Sequence, residues 1–258
     1  MEVDIVEVGY AYKGYKKLFE NVSFSIKAGE IICILGPNGI GKTTLLNCIA
    51  NLAVPTEGDI FIEGQNMNNM SPQEVARVIS FVPQTIIPSF DYKVIDYVVT
   101  SCAPRLGIFE RPKEEHYKVA EQAIERMKIS HLKEKEYTKI SGGERQQVSI
   151  ARAIAQQPKI ILMDEPTAHL DYGNQVKVLK IIKDMAKSGY GVAFTTHSPD
   201  QALLLKCKVA VFNEKGKFFF GDYKEILTEE FLRSMYGVDI HLYDIDDIDR
   251  SVCIISRF

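Results

Sequence analysis

The chain has 258 residues, of which 46% are hydrophobic, so it can bury a substantial core without disulfides or structural metals. Its 31 basic and 34 acidic side chains give a net charge of −3, which argues against the extended basic surface of nucleic-acid-binding proteins. The five cysteines are scattered, which indicates buried apolar residues in a reducing compartment. Since the chain shows neither a signal peptide nor the roughly 20 apolar residues that span a bilayer, we expect any membrane role to require another polypeptide.

The apolar pattern along the chain predicts an α/β core. Period-two patterning over residues 3–8 and 22–26 predicts two half-buried antiparallel strands. Three later runs are apolar on both faces, as central strands of a parallel sheet require; they are residues 31–35, 160–163 and 191–196. Helical patterns separate these runs, so we expect ligands to bind at the carboxyl ends of the strands.

A different pattern fills the middle of the chain. Apolar residues repeat there at intervals of three and four, as in residues 117–127 and 148–155, and this spacing predicts an inserted helical lobe. After it, residues 208–212 and 217–220 predict a hairpin with a loop at residues 213–216. The chain has no internal repeat, which excludes two fused copies of one domain.

A phosphate-binding motif follows the first central strand. Residues 36–43 read Gly-Pro-Asn-Gly-Ile-Gly-Lys-Thr and fit the pattern G-x-x-x-x-G-K-[ST] between a strand and a helix. In such a loop the backbone N–H groups and the helix N-terminus face phosphate oxygens, Lys42 neutralises them, and Thr43 ligates Mg²⁺. A glycine-rich turn that only joins strand to helix is the structural alternative. The candidate ATP-binding residues here are Asn38, Gly39, Gly41, Lys42, Thr43 and Thr44.

Two acidic residues end the second central strand. Asp164 stands where it can hold Mg²⁺ through water, and Glu165 stands where it can polarise an attacking water. Paired acids at a strand end are otherwise often solvated loop residues. The buried strand and the upstream phosphate motif favour the functional interpretation, with Glu165 as the general base.

The pentapeptide Ile140-Ser141-Gly142-Gly143-Glu144 precedes that strand. Ser141 and Glu144 fit a helix capping box, which is a structural role in its own right. The phosphate loop, this pentapeptide and the paired acids, in this order, resemble the motifs of the ABC ATPase family. The resemblance covers nearly the whole chain. The resemblance implies that Ser141, Gly142, Gly143 and Glu144 contact the ATP held by the opposite subunit. Ile140 and Glu144 depart from the commonest family residues, which are Leu and Gln.

The resemblance also assigns single residues. Gln84 resembles the Q-loop residue, which contacts Mg²⁺ and water and senses the membrane partner, although an ordinary loop amide is the alternative. His197 resembles the switch histidine, which contacts the γ-phosphate and the attacking water, although a lone histidine at a strand end is usually structural. Asp171 resembles the D-loop residue at the dimer interface.

An aromatic residue near the amino terminus completes the expected nucleotide site. Tyr12 resembles the aromatic residue that stacks on adenine, a role that requires a flat ring and little else. Tyr10 and Tyr15 are close enough in the sequence to leave this assignment open, because any of the three can be a packing or surface residue.

Further segments resemble one subclass of the family. Residues 167–175, the start of the signature helix and residues 227–238 are similar to importer ATPases for iron-siderophore, haem and cobalamin uptake, with Ala168 in place of the usual serine. This implies a homodimer around two ATP and Mg²⁺, bound to an integral membrane permease at the cytoplasmic face of the cell membrane. A substrate-binding protein acts only indirectly, and no nucleic-acid partner is expected.

The same resemblance implies a division of the single ABC domain. Residues 1–84 and 158–258 form the P-loop NTPase core with an antiparallel β subdomain and a C-terminal extension, and residues 85–157 form the helical subdomain. A groove near residues 84–96 is expected to receive a permease helix, with Pro88 and Phe90 as candidate contacts. The acidic stretch at residues 244–249 is expected to be solvated, with a regulatory contact as the alternative.

Four competing functions share some of these motifs. A soluble ABC ATPase of iron–sulfur assembly and the ATPase subunit of an exporter share every nucleotide motif. A DNA-repair or ribosome-type machine needs a long coiled-coil insertion or a duplicated cassette, and the sequence has neither. A P-loop kinase has no use for the pentapeptide that begins at Ile140.

Overall fold

A computed structural model describes residues 1–84, 91–107, 109–213 and 216–256. The strands are β1 (Glu2–Ala11), β2 (Lys17–Lys27), β3 (Ile31–Leu35), β4 (Glu57–Ile62), β5 (Gln65–Asn66), β6 (Ile79–Val82), β7 (Ile160–Met163), β8 (Gly191–Thr196), β9 (Lys208–Phe212), β10 (Phe218–Gly221), β11 (Ile240–Ile245) and β12 (Arg250–Ile255). The helices are α1 (Lys42–Ile49), α2 (Pro72–Val78), α3 (Val94–Val99), α4 (Glu114–Arg126), α5 (Gly142–Ala155), α6 (Tyr172–Lys187), α7 (Pro199–Leu205), α8 (Tyr223–Ile226) and α9 (Glu229–Tyr236).

The central sheet follows the order β10-β9-β3-β8-β7-β6. Strands β6, β7, β8, β3 and β9 run parallel, and β10 pairs with β9 antiparallel, which confirms the predicted hairpin. Residues 214 and 215 of its loop lie outside the described residues. Because β3, β6, β7 and β8 are parallel neighbours, the residues that follow them meet at one edge of the sheet. The sheet therefore brings together the segments that begin at Gly36, Gln84, Asp164 and His197.

The faces of this sheet pack into two apolar clusters. Successive residues of a strand point to opposite faces, so Cys33 and Leu35 join the cluster with α3 to α7. Ile32 and Ile34 join the second cluster, which contains α1 and the antiparallel sheet of order β2-β1-β4-β5. The strands read as apolar on both faces because both faces are covered, as the sequence predicted.

Helices occupy the middle of the chain, again as predicted. Residues 94–155 contain α3, α4, α5 and short 3₁₀ turns, and the described residues of this stretch contribute no strand to any sheet. Helix α4 buries Ala120, Ala123 and Ile124 against the apolar stripe of α5. The expected permease contacts Pro88 and Phe90 lie outside the described residues.

The acidic stretch near the carboxyl terminus belongs to a hairpin. Strands β11 and β12 pair antiparallel, and residues 246–248 form a 3₁₀ turn between them. These side chains are exposed as expected, but the backbone is ordered by strand pairing, and the Asp249 carboxylate binds the Lys206 ammonium. Among the residues described, no helix has both the length and the apolar character required to cross a bilayer.

Candidate nucleotide-binding site

The loop between β3 and α1 depends on glycine. Gly41 caps α1 with φ at 107°, a region that favours glycine, and a Cβ atom there would lie 2.8 Å from the Phe19 ring. Gly39 has φ at 79° and faces open space, and the neighbouring Asn38 is exposed. The loop can therefore bring its backbone close to a phosphate group, in agreement with the motif.

Lys42 begins α1 and points its ammonium back into the loop. Its Nζ donates hydrogen bonds to the carbonyl oxygens of Gly36 at 2.8 Å and Pro37 at 3.0 Å, and only 6% of the residue is exposed. Burial lowers the pKa of the ammonium, and the nearby carboxylates of Glu165 and Asp164 act against that effect. A phosphate at the loop therefore meets a partly desolvated cation, which attracts it more strongly than a hydrated one.

Thr43 and Asp164 lie together although they are far apart in the sequence. The Thr43 hydroxyl donates to the Asp164 carboxylate, with distances of 2.9 Å to Oδ2 and 3.1 Å to Oδ1. Hydroxyl, carboxylate and amide oxygens suit Mg²⁺, which also takes oxygens from bound phosphates and water. The described residues contain no group of three His, Cys, Asp or Glu side chains that could hold a metal unaided. The donor set therefore fits Mg²⁺ bound together with a nucleotide.

A hydrogen bond and the backbone conformation both orient the Glu165 carboxylate. The Gln84 amide, at the end of β6, donates to the Glu165 carboxylate at 3.1 Å. The backbone of Glu165 has φ at 42°, in the left-handed region, which costs roughly 1–3 kcal/mol for a residue with a side chain. The structure thus brings Gln84 and Glu165 together, and the strained backbone directs the carboxylate of the candidate general base.

Thr195 contacts both acidic residues, Asp164 and Glu165, and the sequence did not predict it as a site residue. Its hydroxyl donates to Asp164 Oδ1 at 2.7 Å and accepts the N–H of Glu165 at 2.7 Å. The residue is fully buried in β8, next to β7 in the sheet. In the sequence it is one β-branched residue in an apolar run, and only knowledge of the strand order could have linked it to the acids.

His197 and Tyr12 lie at the margins of this group. His197 directly follows β8 and is exposed, and its carbonyl oxygen accepts a hydrogen bond from the Tyr236 hydroxyl. The Tyr12 hydroxyl lies 3.3 Å from Thr44 Oγ1, in the first turn of α1, and 52% of Tyr12 is exposed. By contrast, the Tyr10 ring stacks on Phe19 and is partly buried. Tyr12 therefore has an accessible ring beside the phosphate loop.

The predicted signature residues form a separate group at the start of α5. Ser141 and Glu144 form the expected capping box: the Ser141 N–H donates to the Glu144 carboxylate at 2.8 Å, and the Glu144 N–H donates to the Ser141 hydroxyl at 3.3 Å. The Ser141 hydroxyl, which donates to the Glu144 carboxylate at 2.7 Å, and the Ser141 N–H lower the pKa of that carboxylate. A Cβ on Gly143 would lie 3.0 Å from the Asn174 side chain, so α5 and α6 begin side by side.

Asp171 belongs to this second group. Its carboxylate caps α6 by accepting the N–H of Asn174 at 2.9 Å, and it also accepts the Asn174 side-chain amide at 2.6 Å. The backbone N–H of Asn174 is the main cause that lowers the pKa of Asp171. The signature residues are therefore bonded to one another and packed against the residues around Asp171, whereas Lys42, Thr43, Gln84, Asp164 and Glu165 form the other group.

The order of the sheet and the residues at its carboxyl edge define a nucleotide-binding protein of the P-loop class. A family model described as ABC transporter matches residues 19–168. The chain belongs to this family, and it is an ATPase whose activity is coupled to transport.

Relatives and solved structures agree with this assignment. The chain is 37% identical over 235 residues to the molybdate import ATP-binding protein MolC of Haemophilus influenzae. The aligned residues make up 91% of this chain and 87% of that protein. It is 31% identical to the ferric enterobactin transport ATP-binding protein FepC of Escherichia coli, over 90% of this chain and 86% of that protein. A solved structure described as an inward-facing metal-chelate type ABC transporter superposes with a TM-score of 0.87 at 32% identity, covering 99% and 97% of the two chains.

Proposed function

We propose that this chain is the ATPase subunit of an importer in which two copies enclose two ATP molecules between them. The observation that carries the proposal is the division of the site residues into two groups. One group, with Lys42, Thr43 and Glu165, is arranged for phosphate, Mg²⁺ and water. The other, with Ser141, offers the N-terminus of α5, which attracts anions. In a head-to-tail pair, the second group of each copy completes the first group of its partner.

In this arrangement the hydrolytic step depends mainly on Glu165. Its carboxylate accepts a proton from the attacking water, the Gln84 amide orients the carboxylate, and His197 positions the water. Lys42 neutralises phosphate charge that increases during bond cleavage. Thr43, Asp164 and Gln84 would hold Mg²⁺, which would add positive charge beside the phosphates. Tyr12 stacks on the adenine.

The relatives support an import direction, and one of them supports the proposed cargo class. One named relative is an import protein for molybdate, the other is a transport protein for ferric enterobactin, and the solved structure is a metal-chelate type transporter. We place this chain with them as an importer ATPase for iron-siderophore, haem or cobalamin cargo. The helical segment at residues 85–157 carries the motion to a membrane permease, and the subunit is peripheral at the cytoplasmic face of the cell membrane.

Replacing the candidate general base tests the paired arrangement. We expect Glu165→Gln to lower ATP turnover by roughly 10²-fold or more, since this is a typical general-base contribution, while ATP still binds. ATP with magnesium should convert this variant from monomer to dimer, as measured by light scattering on a sizing column. Glu125→Gln, at an exposed glutamate on α4, is the matched control and should hydrolyse ATP normally.

Two outcomes bear on different parts of the proposal. Near-normal hydrolysis in Glu165→Gln would remove Glu165 from the mechanism. If the hydrolysis-dead variant stays monomeric with ATP and magnesium, and the paired subunits also fail to close on their membrane partner, the shared site is wrong.

Isolation of the native complex tests the importer assignment. We expect gentle detergent extraction through the tagged subunit to recover a multi-helix permease, together with a substrate-binding protein that belongs to an import system. Recovery of a soluble iron–sulfur scaffold without a permease would overturn the transporter assignment. A permease fused to its own ATPase domain would indicate export.

A further inference from the structure

The loop that carries His197 is tied to the C-terminal segment of the chain. The Tyr236 hydroxyl donates to the carbonyl oxygen of His197 at 2.8 Å. Three residues later, the Asp200 carboxylate accepts the backbone N–H of Cys253 at 2.9 Å. The two ends of residues 197–200 are thus bonded to α9 and to β12, neither of which belongs to the central sheet.

Tyr236 is held in place by the helix that it ends. Helix α9 buries Leu232 and Met235 in the apolar cluster, and Gly237 stops the helix with φ at 66°. Burial raises the pKa of the Tyr236 phenol, chiefly because the charged form would lose its hydration. The protonated hydroxyl is the donor to the carbonyl oxygen of His197.

The hairpin of β11 and β12 contacts helix α9. The Arg233 guanidinium donates to the carbonyl oxygen of Ile240 at 2.8 Å, and the Glu229 carboxylate accepts the backbone N–H of Leu242 at 2.8 Å. Both bonds join α9 to β11, and β11 pairs with β12, which reaches back to Asp200. Helix α9, β11 and β12 are therefore bonded to one another, and they contact the chain at both His197 and Asp200.

We propose that Tyr236 is a positioning residue for His197, and that α9 and the β11–β12 hairpin hold the Tyr236 side chain in place. A hydrogen bond to the carbonyl of residue 197 fixes the backbone from which the imidazole projects. Without that bond, the short connection between β8 and α7 can place the exposed ring in several directions, and fewer molecules hold it toward the attacking water. The proposal depends on the catalytic role proposed above for His197.

The test removes only the hydroxyl. In Tyr236→Phe we expect turnover to fall about five-fold, which corresponds to one ordinary hydrogen bond, while the KM for ATP changes less than two-fold. Amide hydrogen exchange at residues 197–200 should accelerate in the same variant. The matched control is Tyr117→Phe, which removes the hydroxyl that donates to Asp96 on the helical side of the molecule. It should leave turnover and exchange at residues 197–200 unchanged.

Variants of His197 separate this proposal from the proposed function. If His197→Ala lowers turnover, adding Tyr236→Phe to it should lower turnover no further, because there is no ring left to position. If His197→Ala hydrolyses ATP normally, the catalytic role of His197 is wrong and the positioning role falls with it. If His197→Ala is impaired but Tyr236→Phe keeps normal turnover and normal exchange, the role of Tyr236 alone is overturned.

A second variant covers the possibility that Tyr236→Phe does not fold. Asp200→Ala removes the acceptor for the Cys253 N–H and frees the first turn of α7 from β12. We expect a fall in turnover with an unchanged KM and faster exchange at residues 197–200. Unchanged turnover and exchange in a folded Asp200→Ala protein would contradict the bracing role of the hairpin.

Discussion

Thr195 joins the two acidic residues of the site through a single hydroxyl group. It donates to Asp164 and accepts the N–H of Glu165, and each of these contacts measures 2.7 Å. The second contact also stabilises the left-handed backbone of Glu165. Without the hydroxyl, Asp164 loses an orienting donor and a partly buried N–H loses its acceptor, so both acids become less well ordered.

We expect Thr195→Val, which keeps the shape and removes the hydroxyl, to lower turnover at least ten-fold. It should also weaken Mn²⁺ binding in the presence of ATP, measured by electron paramagnetic resonance with Mn²⁺ in place of Mg²⁺. Thr195→Ser should restore most of both properties. Ser149→Ala is the control, since it removes another buried hydroxyl, which donates to the Arg145 carbonyl within α5. Equal losses in the two variants would indicate a general packing effect.

Among the site residues, the sequence predicted those whose role can be recognised from the residue type and its neighbours in the chain. Lys42, Thr43 and Asp164 stand next to a strand in a recognisable order, and the structure brings them together. Thr195 could not be found in this way, because threonine is common in strands and its role depends on which strand lies beside β8. Tyr236 was part of a recognised segment, but its contact with His197 depends on packing between distant parts of the chain.

Helix α5 begins with a capping box that is repeated at α2. Ser71 and Glu74 make the same pair of hydrogen bonds at the start of α2 as Ser141 and Glu144 make at α5. In both boxes the hydrogen bonds lower the pKa of the glutamate below its ordinary value of 4.5. The two helix starts are therefore matched in geometry and charge, and only the one at α5 is proposed to face a nucleotide.

This pair allows a test of pH dependence. A carboxyl whose pKa is lower in the folded protein stabilises the fold above pH 4.5, and this contribution disappears as the pH falls through the lowered pKa. We expect wild type to exceed Glu144→Gln in free energy of unfolding at pH 7, with the difference decreasing below about pH 4.5. Urea unfolding at several pH values measures it. Glu74→Gln should show the same trend.

The two variants should differ only when ATP is present. Removal of the negative charge at Glu144 should strengthen ATP-driven dimerisation of the Glu165→Gln protein, because a carboxylate near a triphosphate is repelled by it. Glu74→Gln should leave dimerisation unchanged. An equal effect from both would show that Glu144 acts only through the stability of its helix and does not lie near the nucleotide of the partner.

The elements themselves could be predicted well where the apolar pattern has one clear period. The central strands are apolar on both faces and α4 and α5 repeat at three and four, and the structure has these elements at those positions. The C-terminal hairpin was missed because acidic residues fill the end of β11 and the turn that follows it, a composition that also fits a solvated segment. Its strand pairing and its contacts with α9 decide between these structures.

Across the whole molecule, one continuous segment connects the two groups of site residues. Helix α5 begins beside Ser141 and ends near Gln157, and β7 then leads directly to Asp164. Arg105 binds the end of α5 by donating to the carbonyl oxygens of Gln156 at 3.2 Å and Gln157 at 3.1 Å. The Gln156 side chain in turn donates to the carbonyl oxygen of Ile79 at the start of β6. This junction fixes the direction in which α5 leaves the sheet.

We therefore expect Arg105→Ala to loosen the helices relative to the sheet while the nucleotide site of each copy stays intact. Stability should fall by about 1 kcal/mol, a modest loss because Arg105 is exposed, and ATP affinity should stay within two-fold of wild type. Dimerisation with ATP in the Glu165→Gln background should weaken about ten-fold, because each Ser141 must meet the nucleotide of the other copy at a defined angle. The control is Arg111→Ala, at another exposed arginine. Normal dimerisation in Arg105→Ala, measured by light scattering at several protein concentrations, would show that the junction does not set the position of the signature residues.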